Sequence, residues 1–453
     1  MHAQEGSGVG MKGITKEDII TEVEEKDVEF IRLQFTDILG NLKNVAITAS
    51  QLEKALDNKC MFKASSIDGF VGMDEAELYL KPDLSTFAIF PWRPQQGKVA
   101  RLICDLCLAD GTFFEGDPRF ILRKAVKEAE EMGYTFEVGP ECEFFLFHTD
   151  EYGVPTTLTH EQAGYFDLGP MDLGENARRD IVLNLEQMGF VVEASHHEAA
   201  PAQHEIDFKY DEALETADNI MTFKLAVKTI AKRHGLHATF MPKPKFESSG
   251  SGMHISMTLR KYGENIFADY DDQKGLSLEA YYFIGGILAH IKGMTAITNP
   301  LVNSYKRLVP GFDAPTSITW SDNRRTHLVG VPSGRGTDTR IELRCPDPSA
   351  NPYLAIAVCL MAGLDGIRNR IMPPQSSELN FASLSPAEIR KSGIEQLPAT
   401  LYEALNELKA DDFIQKVLGE RVCEKYIESK EKEWDEYKSQ VTNWEIEQYL
   451  YRY

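Results

Sequence analysis

Residues 136–147 read FEVGPECEFFLF. A β-strand turns successive side chains to opposite faces, so Glu141 and Glu143 share one face with Phe145 and Phe147, while Cys142, Phe144 and Leu146 face the other way. Two carboxylates in so apolar a strand are costly to bury without a counter-charge. A bound cation resolves the conflict; the alternative is a sheet edge that leaves both acids in water. With a cation, the strand belongs to a sheet that presents acids to a site.

Further acids lie downstream. ASHHEAAPAQHEIDF (residues 194–208) offers Glu198 and Glu205 on either side of a bend at Pro201, an arrangement that either returns both to one site or is a plain acidic loop. GSGMHISM (residues 250–257) sets His254 in a run bracketed by glycines, which permit close backbone approach. In TRIELRC (residues 339–345), Arg340, Glu342 and Arg344 alternate and project from one strand face. That layout is either a salt-bridge ladder or a seat for a metal and a phosphate together. Oxygen-rich sites of this kind select hard divalent cations such as Mg²⁺ or Mn²⁺. Convergence of Glu141, Glu143, Glu198, Glu205, His254 and Glu342 would make the chain a nucleotide-using enzyme.

The chain has 453 residues, long enough for one large domain plus a small one. No run of apolar residues approaches the length of a transmembrane helix. The first residues, MHAQEGSGVGMKG, lack the apolar stretch of a signal peptide and read as a flexible leader over 1–12. A net charge of −22 argues against a nucleic-acid or anionic-membrane partner. Seven cysteines at irregular spacing do not make a disulfide framework, which points to a reducing cytoplasm. Cys104 and Cys107 match CxxC but lie in a strand-like run without a second pair, so they read as strand residues.

Residues 28–36 alternate as a half-buried strand, and Asp37 to Asn41 form the turn of a hairpin that resumes at residue 42. A short helix at about 50–58 and further strands complete a domain over 13–110. Asp117-Pro118 opens an amphipathic helix to about Met132, with Asp117 its N-cap. The remainder, 111–453, mixes strands with helices near 175–188, 212–234, 278–295 and 350–370. The tail VTNWEIEQYLYRY has four aromatic residues in its last ten, which suits docking on another subunit or on its own domain.

Taken in order, FEGDPRF, GPECEFFLF, ASHHEAAPAQHEIDF, PKPKF…GSGMH, NPLVNSYKRLVPG and IELRCPDPSANPYLA make the chain resemble type I glutamine synthetase from about residue 13 onward. The resemblance implies an α+β fold: a small N-terminal β-grasp domain and a large catalytic domain with an antiparallel active-site sheet surrounded by helices. It implies a homododecamer with active sites shared between subunits and the C-terminal segment inserted into the opposite ring. The implied reaction uses ATP to phosphorylate the γ-carboxylate of glutamate or a related acid, after which ammonia or another amine forms the amide. Two or more Mg²⁺ or Mn²⁺ would serve each site, one held by Glu143, Glu198 and Glu205, another by Glu141, His254 and Glu342. By the same resemblance Arg307, Arg344, Ser249 and Gly250 bind the amino-acid substrate. Arg340, Arg325, Arg335, Ser256 and Thr258 fall to ATP, and Tyr165 and Ser66 line the pocket.

Several positions depart from the family pattern. Lys63 in FKASSI replaces the aspartate that attracts ammonium, and at about 4 Å with an effective dielectric near 20 that exchange acts on roughly 4 kcal/mol of interaction. The flap glutamate is Asp313, the asparagine before GSGMH is Ser249, and an arginine is Gly330, which removes a phosphate contact unless Arg335 compensates. The usual RNRSP is Asn323-Arg324-Arg325-Thr326-His327. Gly72 stands for an arginine tied to feedback inhibition, and Ala382 for a modified tyrosine. The changes gather at the amine and acyl-phosphate end while the metal acids are intact. They imply a ligase with an altered acceptor or acid, or else a non-catalytic nucleotide-binding paralogue.

Overall fold

The computed structural model describes residues 13–70, 77–94, 96–310, 314–322, 326–379, 381 and 384–453. Among these, the strands Val28–Thr36 and Leu42–Thr48 form the expected hairpin. Its turn is closed by Asp37 Oδ1, which accepts from the backbone of Leu39 at 3.0 Å and Asn41 at 2.9 Å. Gly40 has φ +84°, a left-handed conformation that favours glycine. Lys98–Cys107 runs parallel beside Val28–Thr36, and Glu77–Pro82 and Cys60–Lys63 extend the sheet antiparallel beyond it. Cys104 and Cys107 are free and buried on that central strand, and burial pushes the Cys104 thiol well up.

A second, larger sheet runs in the order Trp320–Ser321, Val329–Gly330, Ile341–Leu343, Met253–Lys261, Thr135–His148, Gln203–Phe208, Val192–His197. The quoted strand therefore lies inside the sheet, paired on both edges. The fold is α+β, as the resemblance implies.

Helices Pro118–Glu131, Glu175–Gln187, Ala213–Arg233, Leu278–Thr298 and Pro352–Asn369 appear where their periodicity places them. The last two pack so closely that a Cβ on Gly286 would lie 2.1 Å from the Ala362 carbonyl oxygen, and one on Gly366 2.0 Å from that of Tyr282. Two devices join the sheets. Buried Arg119 bonds Asp83 and Asp105 of the N-terminal region and Asp218 of helix Ala213–Arg233 at 2.7–2.8 Å. Asn351, at the start of Pro352–Asn369, donates Nδ2–H to the Asp37 carbonyl at 3.0 Å. Among the described residues, five further helices, Pro386–Lys391, Leu401–Ala410, Asp412–Leu418, Glu420–Lys438 and Asn443–Tyr449, complete the C-terminal part. The tail does not dock on its own domain: Trp444, Leu450, Tyr451 and Tyr453 are exposed. The leader, Gly72 and Ala382 lie outside the described residues.

Candidate active site

Backbone register brings the acids together. Residues directly opposite in an antiparallel ladder share a face, and Glu141 stands opposite His254 on one side and Asp207 on the other. Glu143 stands opposite Glu205, which also faces His196. Glu342 faces Ser256 on one edge of its strand and Gly330 on the other.

Two ligand groups result. In one, a ligand atom each from Glu141, His254 and Glu342 lie within 4.8 Å of one another. His254 Nδ1 is 3.1 Å from Glu141 Oε2 and 3.4 Å from Glu342 Oε1. In the other, His196, Glu198 and Glu205 meet the same criterion of 4.8 Å, each carboxylate 3.5 Å from a ring nitrogen of His196. Glu143 flanks this second group. Its Oε2 accepts from Gln203 Nε2 at 2.5 Å and from the Gly252 backbone at 3.1 Å.

The electrostatics fit cations. Burial first, then Glu143 and Asp207, push Glu205 up to about 12. Burial and Glu141 push Asp207 up to about 7. Burial also raises Glu143, and Glu198 adds to it. Burial opposes ionisation of Glu141 too, but His254, Arg344 and Arg340 outweigh it and bring that acid to about 2. Acids that cannot all ionise around one space become compatible once a divalent cation shares it. Oxyanion donors adjoin them, since Arg340 Nε and Arg344 Nε are buried without a hydrogen-bond partner. Arg344 Nη1 meets Glu342 Oε1 at 2.5 Å. Arg340 lies 5.7 Å from the centroid of the Tyr210 ring. That ring needs Gly139 beneath it, because a Cβ there would fall 2.4 Å from a ring carbon.

Arg307 is buried against the same site, donating to the carbonyls of Cys345 at 2.7 Å and Arg344 at 3.3 Å. A Cβ on Gly252 would lie 2.7 Å from its Nη2, which explains one of the bracketing glycines. The Gly250 carbonyl accepts from Gln203 at 3.3 Å, so the loop carrying Ser249 and Gly250 abuts the second group. Ser256 and Thr258 share the His254 face, both buried, and the Thr258 hydroxyl donates to the Thr339 carbonyl at 3.0 Å. Tyr165 is half exposed, stacked on Phe166 at 4.1 Å and edge-on to His196 at 5.7 Å.

Arg335 is turned to backbone carbonyls: Nε donates to Lys274 at 2.7 Å, and Nη1 to Pro332 at 2.5 Å and Gly334 at 2.9 Å. Above Gly330 there is room: a Cβ would meet only Glu342 Oε2 at 3.7 Å and Arg344 Cδ at 3.9 Å. Lys63 ends the strand Cys60–Lys63 of the N-terminal sheet, and Ser66 ends the turn Ala64–Ser66 that follows it. Among the described residues, no hydrogen bond or ion pair ties either to the ligand groups. Asp313 and Arg325 lie outside the described residues.

The model of the glutamine synthetase catalytic domain matches residues 115–449, and that of the glutamine synthetase β-grasp domain matches 27–109. The chain belongs to the glutamine synthetase family. It is 61% identical to the glutamine synthetase of Clostridium saccharobutylicum over 443 residues, 98% of this chain and 100% of that one. It is 56% identical to that of Staphylococcus aureus strain Mu50 over 440 residues, 97% and 99% of the two chains. Among solved structures, a GmaS–ADP complex superposes with a TM-score of 0.88 at 34% identity, covering 96% of this chain and 99% of its own. Glutamine synthetase of Plasmodium falciparum superposes with a TM-score of 0.85 at 25% identity, covering 98% and 100%. The chain is thus an ATP-dependent C–N ligase, of a family that works with ATP and divalent cations.

In this glutamine synthetase fold, sequence reasoning passed over four residues at the site: His196, Gln203, Asp207 and Tyr210. Strand alternation offered two of them, since His196 is two residues from Glu198 and Asp207 two from Glu205. Behind the second group lies a buried support. His197 donates Nδ1–H to the Glu198 carbonyl at 2.6 Å, and its Nε2 is 2.8 Å from Glu161 Oε1. Both partners can accept, which favours the protonated ring; burial opposes this, and Glu161 raises the pKa above its ordinary value. Glu161 also accepts from the backbone of Ala202 and, at 2.9 Å, of Leu173.

Proposed function

We propose that the chain makes glutamine from glutamate, ammonia and ATP. The observation that carries this reading is the pair of ligand groups on either side of Thr135–His148, anchored by Glu141 and Glu143. Two residues along a strand span roughly 6.6 Å, a spacing that suits a polyphosphate on one side and a carboxylate on the other. Glu141, His254 and Glu342 would hold one Mg²⁺ or Mn²⁺, and Glu143, Glu198 and Glu205, with His196 beside them, another. Such cations neutralise phosphate charge and polarise the transferring group. Arg340 and Arg344 offer unpaired donors to the transferring phosphoryl oxygens. Arg307, a buried guanidinium beside Glu143, holds the carboxylate of the amino-acid substrate.

On this reading 13–110 and 111–453 are the working domains of a cytoplasmic protein. Neighbouring subunits of a dodecamer supply Lys63 and Ser66 to one another's sites, and the exposed tail docks on another subunit. A second reading has one observation in its favour. Lys63 is a cation at the position assigned to amine capture, which favours an acceptor that arrives neutral or carries a carboxylate.

ADP release with Mg²⁺ or Mn²⁺, across acids and amines including glutamate with ammonia, tests both. Fastest turnover with ammonia supports glutamine formation, and faster turnover with another amine supports the second reading. No ADP from any pair refutes both.

A further inference from the structure

A cavity of about 540 Å³ lies between the N-terminal sheet and helix Ala213–Arg233, and none of its lining residues belongs to the site described above. Arg32, Arg93, Lys224 and Lys228 line it, Asn41 and Asn44 add amides, and no carboxylate does. Four cations around one void, in a chain of net charge −22, are a local reversal of the protein's field.

Their ordinary explanation would be neutralisation by nearby acids, and it is missing. Among the described residues none of the four makes an ion pair. Arg32 donates only to the Asn44 amide oxygen at 2.9 Å, Lys224 to the Ala350 carbonyl at 3.2 Å, and Lys228 sits over the Phe240 ring at 5.7 Å. Nor are all four simply solvated, since burial brings Lys224 down to about 8. On the neighbouring strand, Arg101 lies in register with Arg32 and is buried with its Nε and Nη1 unpartnered. Unneutralised cations that converge on an open space favour an anion of several charges, and the amides supply further donors for its oxygens.

We propose that this cavity binds a small polyanion bearing phosphate or several carboxylates, which clamps the N-terminal sheet to helix Ala213–Arg233. Arg32 and Arg93 hold it from the sheet side, Lys224 and Lys228 from the helix. The bound anion adds a second fastening to the buried Arg119–Asp218 pair on the same helix.

The test uses the assembled full-length protein, saturated with ADP–Mg²⁺ to occupy the nucleotide site. Inorganic phosphate, pyrophosphate and citrate are titrated at constant ionic strength set with chloride, and followed by calorimetry and thermal shift. The comparison is Arg93→Ser/Lys228→Ser, two side chains at exposed positions. The expected result is a polyanion that raises the melting temperature of the native protein and binds the variant at least tenfold more weakly, with ADP affinity unchanged. A response to the phosphates alone identifies the phosphate source, and one to citrate alone the carboxylate source. Equal binding by both proteins, no response beyond chloride, or an ADP affinity that falls in parallel overturns the proposal.

Discussion

Replacing Glu342 by glutamine keeps the shape of a ligand and removes its charge. Glu141 and Glu342 contribute two negative charges to their group, and Arg344, 2.5 Å from Glu342, returns one positive charge. The local sum is −1 in the native protein and zero in the variant, which also leaves a guanidinium beside the metal position. One unit charge at about 4 Å and an effective dielectric near 20 is worth about 4 kcal/mol. Glu342 is only 7% exposed, so solvent screening takes little from that figure. A divalent cation doubles the attraction, while water entering the variant site offsets part of it, so about 4 kcal/mol is a working value. That is about three decades of affinity. Free Mn²⁺ measured by electron paramagnetic resonance against protein concentration reads it directly.

Arg344→Met supplies the opposite sign. Removing the guanidinium makes the local sum −2, so Mn²⁺ should bind more tightly, by at least tenfold, while on the proposed reading ATP turnover falls because a hydrogen-bond donor to the phosphoryl oxygens is gone. An affinity for Mn²⁺ within tenfold of native in Glu342→Gln refutes the ligand assignment. So does a shift in the same direction in both variants.

Arg119→Met leaves buried Asp218 without its cation, and Asp83 and Asp105 with Arg123 alone. Breaking a buried pair costs about 3–5 kcal/mol, so the urea midpoint should fall accordingly, and an unchanged midpoint contradicts the joint described above. Glu161→Gln should weaken Mn²⁺ binding by about 10- to 100-fold, the usual cost of losing a group that orients a ligand; native affinity would show that the His197 network does not position Glu198. His290 bonds Asp411 at 2.8 Å and Asp365 at 3.2 Å; burial lowers its pKa, but the two carboxylates hold it above the ordinary value. A raised folded pKa stabilises fully below the unfolded value of about 6.5 and loses that stabilisation as pH rises through the folded pKa. Stability should therefore decline over that interval, and His290→Asn should flatten the slope; an unchanged slope refutes the coupling.

Local periodicity made much of the fold legible. Alternation in 136–147 placed Glu141 and Glu143 on one face, and the 3.6-residue pattern with Asp117 ahead of it placed Pro118–Glu131. Asp117 does cap that helix, accepting from Arg119 at 3.0 Å. It also accepts from the Leu106 backbone at 2.9 Å, buried and pushed up to about 7, which no local pattern announces. Alternation offers His196 and Asp207 as neighbours of the named acids, but not which acids they meet across the sheet. That Asp207 faces Glu141, or that His196 faces Glu205, is a matter of ladder register, set by chain segments some 65 and 10 residues apart in sequence rather than by either segment alone. Arg335 shows the same limit, because a free guanidinium and one whose Nε and Nη1 bond three backbone carbonyls look identical in sequence.

On the proposed reading, the two ends of the reaction separate in space. The two candidate ligand groups are assembled within one chain, on and beside neighbouring strands of a single sheet. Lys63 ends a strand of the other sheet and Ser66 lies in the turn after it, with no described bond to that site. On the proposed reading, amine selection is then a property of the assembly, whereas cation and nucleotide binding belong to the chain. Dissociating the protein by dilution should therefore abolish amide formation while Mn²⁺–ADP affinity stays within a fewfold of native. Charge reversal by Lys63→Asp should change the preference among amines in the assembled protein and leave that affinity untouched. If dilution costs both functions equally, the separation is wrong, and the ligand groups themselves depend on a neighbour.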